Sequence, residues 1–103
     1  MACVAFDFDG CFNDKRIQVL AKKLIQEGNE IWIVTARKEN QFSKDIVLNL
    51  AGKIGISEYR IIYANEKPKF DLLNAINADI YIDNISVEFE KIKNYSNTIP
   101  LLW

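Results

Sequence analysis

Residues 2–9 read Ala-Cys-Val-Ala-Phe-Asp-Phe-Asp and are followed by Gly10. A short apolar run that ends abruptly in two carboxylates spaced i, i+2 has the pattern of a strand delivering Asp7 and Asp9 to one patch at its C-terminal end, because strand side chains two apart share a face. Gly10 lets the chain turn sharply out of the strand. Two neighbouring acids repel, and a divalent cation between them is the simplest compensation. Asp and Gly are also ordinary turn residues, so this segment alone fits a strand running into a polar loop equally well.

Outward from this run, apolar residues Ile17, Leu20, Ala21, Leu24 and Ile25 recur at helical spacing, with Lys22, Lys23, Gln26 and Glu27 on the other face and Gly28 as the stop. Glu30 to Thr35 is a continuous apolar run without alternation, as expected of a strand buried on both faces of a parallel sheet. A second amphipathic pattern passes through Phe42, Ile46, Val47, Leu50 and Ala51, and Arg60 to Tyr63 predicts a third strand. Pro68 suits the first turn of a third helix carrying Leu72, Leu73 and Ile76. Asp79 to Ile82 predicts a fourth strand ending at Asp83-Asn84. A short helix through Val87, Glu88 and Ile92 then leads to a final strand at Thr98–Leu102. Strand and helix alternate throughout, which calls for right-handed crossovers and a parallel sheet covered on both faces. The expected architecture is one domain over residues 1–103, a three-layer α/β/α Rossmann-like sandwich on a mainly parallel five-stranded sheet.

Composition narrows the chemistry. With 13 basic against 14 acidic residues the net charge is −1, so no broad basic field favours non-specific nucleic-acid binding. Two cysteines, Cys3 and Cys11, are too few for a disulfide scaffold or a zinc site and fit reduced thiols in a cytoplasmic setting. No apolar run approaches the ~20 residues of a membrane helix, and no signal pattern opens the chain, so no membrane partner is expected. There are no histidines. Acid–base chemistry therefore falls to carboxylates, lysine or water.

In a parallel α/β sheet, ligands bind at the carboxyl ends of the strands. Asp7 and Asp9 end the first strand, Thr35 the second, and Asp83 and Asn84 the fourth, while Lys67 lies in the loop after the third. Taken singly, Thr35 reads as a strand terminus, Lys67 as a solvated charge and Asp83-Asn84 as a turn. Together they bring carboxylate, hydroxyl, ammonium and a carboxylate–amide pair to one rim.

This ordered set resembles the haloacid dehalogenase-like (HAD) superfamily of phosphohydrolases. Asp-Phe-Asp-Gly (7–10) is similar to its first motif, Val-Thr-Ala-Arg (34–37) to its second, Lys67-Pro68 to its third and Ile-Asp-Asn-Ile-Ser-Val-Glu (82–88) to its fourth, so the resemblance spans nearly the whole chain. It implies Asp7 as a nucleophile that becomes an aspartyl-phosphate, and Asp9 as general acid and then base. Thr35 would bind phosphoryl oxygens and Lys67 would neutralise charge, with Lys69 as its competitor. The implied cofactor is magnesium (Mg²⁺), a hard cation held by Asp7, the backbone carbonyl of Asp9, and the Asp83-Asn84 pair. The implied partner is a phosphorylated substrate: a nucleotide, a nucleic-acid end or a phosphoprotein.

The chain departs from the pattern in three ways. Cys11 follows Asp-Gly, bringing an oxidisable thiol near the site. The fourth motif reads Asp83-Asn84 rather than paired acids, with Glu88 trailing. The third motif offers two lysines. The short spacings after Gly10 and between Thr35 and Lys67 leave no room for a cap domain, so the site is expected to be open. Arg37 reads as an exposed helix-start residue in preference to a phosphate ligand. The alternative function is a degenerate core that binds metal or a phosphorylated partner without turnover. A response-regulator receiver fits less well, because no acceptor Asp lies near Tyr63, Ala64 and Asn65.

Overall fold

Strands and helices alternate in the order β1 (Cys3–Phe6), α1 (Lys15–Gln26), β2 (Glu30–Thr35), α2 (Gln41–Ile54), β3 (Ile61–Tyr63), α3 (Lys69–Ala75), β4 (Ile80–Asp83), α4 (Phe89–Tyr95) and β5 (Ile99–Leu102). The computed structural model describes residues 1–103. The strands form one sheet in the order β3-β2-β1-β4-β5, and every pairing is parallel, which sharpens the expected mainly parallel sheet. The chain winds from β1 outward to β3, then crosses back to lay β4 on the other side of β1. The order therefore reverses between β1 and β4, where loops diverge and open a crevice at the strand ends.

Strand alternation divides the core in two. Val4 and Phe6 of β1, with Ile31 and Ile33 of β2, pack beneath Ile17 and Ala21 of α1 and Val47 and Ala51 of α2. Ala5, Val34 and Tyr81 face the other way, against Leu73 of α3 and Ile92 of α4. The helices thus cover both faces of the sheet. Asp14 begins α1 by accepting from the Arg16 amide at 2.8 Å, and Asn40 begins α2 by accepting from the Ser43 amide at 2.9 Å, each satisfying a donor that the helix itself leaves free.

Strand ends shift by a residue from expectation at β3, β4 and β5, and two further boundary differences matter for the site. Pro68 is extended (φ −65°, ψ 138°) and stands before α3, so Lys69 is the first helical residue. Val87 lies outside α4, with 82% of its surface exposed. No helix is long and apolar enough to cross a membrane.

Candidate active site

Asp7 directly follows β1, and its amide donates to the Ile82 carbonyl at 2.9 Å, extending the β1–β4 ladder to the strand ends. By alternation Asp7 shares the face of Ala5, and Asp83 shares the face of Tyr81. Both carboxylates therefore point to the side that α3 covers. There, Lys69 Nζ donates to Asp7 Oδ1 at 2.7 Å, lies 3.5 Å from Asp83 Oδ2 and hydrogen-bonds the Tyr81 hydroxyl, which donates in turn to Asp83 Oδ2 at 2.7 Å. All four side chains are buried. Burial pushes the Asp7 carboxyl up, to about 6, against the opposing pull of Lys69. Burial and the adjacent Asp7 and Asp83 charges raise the Tyr81 hydroxyl, keeping it a proton donor at neutral pH.

The lysine at this cluster is Lys69. Lys67 is exposed and makes no ion pair. The expectation of Lys67 ahead of its competitor Lys69 went with Pro68 standing in the first turn of the helix. With Lys69 opening it instead, the Cα–Cβ bond leans back toward the helix N-terminus and carries the ammonium onto the strand ends. The Lys69 amide, one of the donors left free at that end, donates to Glu88 Oε1 at 3.1 Å.

Asp9 and Asp7 line one cavity of about 230 Å³, together with Ala36, Lys69, Asp83, Ile85, Val87 and Glu88. The two acids sit at unequal depth, because the chain leaves the strand after Phe6. Asp7 is buried, whereas the Asp9 side chain is 54% exposed and is held by Arg37, whose Nε and Nη2 donate to its two oxygens at 2.9 and 2.8 Å. Arg37 also lies over the Phe8 ring, 5.4 Å from its centroid. This bidentate contact replaces the free surface position expected for Arg37.

Thr35 is fully buried and absent from the cavity wall; its hydroxyl accepts from the Arg37 amide at 3.2 Å. Alternation along β2 sets Thr35 on the face of Ile31 and Ile33, under α1 and α2, opposite the acids. Cys11 is buried, and burial pushes its thiol up to about 12, so the expected oxidisable group is an un-ionised thiol donating to the Ile82 carbonyl.

Asn84 occupies the gap between the β1 turn and β4. With its amide nitrogen turned toward them, it donates to the Asp9 carbonyl and to Asp83 Oδ1, each at 3.1 Å. Gly10 is required beside it: φ is +74°, and a Cβ there would fall within 2.9 Å of Asn84 Cγ.

No three acidic or thiol side chains converge as a ready-made metal cluster. Magnesium asks for less, taking one or two carboxylates and completing its shell with substrate oxygens and water. Asp7, Asp83 and the Asp9 carbonyl are hard oxygen donors at one rim and fit that demand.

Tyr81 went unrecognised in the sequence. Its signal was present, since it stands two residues before Asp83 in a strand, the same spacing that links Asp7 to Asp9. No known protein-family profile matches the chain, and no curated protein matches it in sequence.

Proposed function

We propose that this chain is a magnesium-dependent phosphomonoesterase of the HAD-like type, without a cap domain, acting in the cytoplasm on a phosphorylated substrate through an aspartyl-phosphate at Asp7. The observation that carries the reading is the buried Asp7–Lys69 pair, 2.7 Å apart at the edge of an open cavity. A carboxylate approaches a phosphate dianion only where positive charge offsets their repulsion, and Lys69 supplies that charge at the attacking group. Asp7 forms a bond to phosphorus as the bond to the leaving oxygen breaks. Asp9 donates a proton to that oxygen, trading one of its Arg37 contacts for it. Water then attacks the phosphorylated Asp7, Asp9 accepts a water proton, and inorganic phosphate departs. Tyr81 and Lys69 hold Asp83 in place throughout. Magnesium, held by Asp7, Asp83 and the Asp9 carbonyl, would neutralise phosphoryl charge when bound.

One observation favours the second reading, a core that binds without turnover. The Asn84 amide bridges two of the proposed metal-ligand oxygens. Hydrolysis of p-nitrophenyl phosphate separates the two: the phosphatase reading requires turnover with magnesium, loss with EDTA and recovery on adding magnesium back. No turnover at any magnesium concentration would leave the binding reading standing.

A further inference from the structure

The cavity at Asp7 does not end there. Ala36, Lys69 and Glu88 also border a second hollow of about 480 Å³, whose remaining wall is Ala64, Glu66, Lys67, Pro68 and Lys91. The two hollows adjoin at these three residues, a trough in two parts that is larger than a phosphoryl group alone fills. Two of its three positive charges are not spent on neighbours: Lys69 pairs with Asp7, but neither Lys67 nor Lys91 is ion-paired. The acids on the same wall are partly engaged, Glu66 with Lys38 at 3.5 Å and Glu88 with the Lys69 amide at 3.1 Å.

Lys67 is held in place by its backbone. The Lys67 amide donates to the Ala64 carbonyl at 2.9 Å, closing a turn in which Asn65 and Glu66 both adopt positive φ (49° and 70°). Side-chain-bearing residues seldom take that conformation, and it persists where surrounding contacts enforce it. Here the Asn65 side chain accepts from the Glu39 amide at 3.0 Å, tying the loop after β3 to the loop after β2. The trough wall has no aromatic ring on which a base or aryl group would stack.

We infer that the trough selects a compact phosphomonoester whose leaving group carries a second phosphate, bound by Lys67 and Lys91 while the first lies at Asp7; the inference rests on the phosphatase reading. Lysine suits the role as a mobile point charge for a phosphate. The test compares propanediol bisphosphate with propanediol monophosphate, probes that differ by a single phosphate. With magnesium, kcat/KM for the bisphosphate should exceed that for the monophosphate by about tenfold, as expected of two exposed charge pairs. The Lys67→Gln/Lys91→Gln double variant should lose most of that ratio. Hydrolysis of both probes at equal kcat/KM, or a ratio unchanged in the double variant, overturns the inference and leaves the phosphatase reading intact. So does a clear preference for a phosphorylated oligonucleotide or phosphopeptide over the bisphosphate. If neither probe is hydrolysed while p-nitrophenyl phosphate is, the inference is overturned and the phosphatase reading stands; if none of the three is hydrolysed, the phosphatase reading fails and calorimetric binding in magnesium decides. Tighter bisphosphate binding that the double variant loses supports the trough as a bisphosphate site, and equal affinities for the two probes overturn it.

Discussion

At the Lys69 ammonium three oxygen groups meet: the Asp7 carboxylate, the Tyr81 hydroxyl and, at 3.5 Å, the Asp83 carboxylate. Removing a buried cation from between two buried acids leaves uncompensated charge, a loss of about 3–5 kcal/mol in comparable pairs. Lys69→Met, which keeps the volume, is therefore expected to lower the urea midpoint markedly and to cut kcat/KM on an aryl phosphate ~10²–10³-fold. Lys67→Met should cost far less on that substrate, because Lys67 touches none of the cluster. A larger loss at Lys67 would overturn the lysine assignment. The strand-end places of Asp7, Asp9 and Asp83 were legible, whereas Thr35 lies off the cavity and the choice of lysine was not legible. It turned on whether Pro68 stands before the helix or within it, a difference of one residue that rotates the side chains by ~100°. Asp9 was legible as a rim residue, whereas its Arg37 partner was not, because residues 9 and 37 are brought together only by the pairing of β1 with β2.

The element that shapes the site is the turn from β1 into α1. It closes through the Phe12 amide donating to the Asp7 carbonyl at 3.0 Å and the Asn13 amide donating to the Phe8 carbonyl at 3.2 Å, with Gly10 at positive φ between them. Gly10→Ala strains the backbone and runs into Asn84, so a destabilisation of ~1–3 kcal/mol is expected. Gly52→Ala is the matched control. It lies inside α2 with open space around it, and it should leave stability unchanged or raise it by ~0.5–1 kcal/mol. Equal urea midpoints for the two variants would contradict this account of the turn. Apolar patterning forecast the five strands and four α-helices, since each pattern reports the face that burial selects, but not the short helical turns at Phe8–Phe12 and Glu58–Arg60. Strand ends were less legible: β1 stops at Phe6, before the acids it presents, because apolar patterning does not mark where pairing ceases. Face parity also explains Thr35, whose place in β2 puts it beneath α1 and α2.

Across the whole molecule, the reversal of strand order beside β1 assembles the site from distant segments. Asp7 and Asp83 come from adjacent strands, Lys69 from the helix that crosses back over the sheet, and Arg37 from the loop after β2. Each covering helix packs on one face of the sheet, which leaves hollows at the strand ends: the one at Asp7 and the one at Lys91 share Ala36, Lys69 and Glu88. In the proposed reaction Asp7 takes up the phosphoryl group covalently. Acid-quenching the protein during turnover of an aryl phosphate in magnesium, followed by peptide mass spectrometry, reads that claim directly. One added phosphoryl group on Asp7, absent with EDTA and absent in Asp7→Asn, is the predicted result. Sustained hydrolysis by Asp7→Asn, or a phosphoryl group found on any other residue, would contradict it.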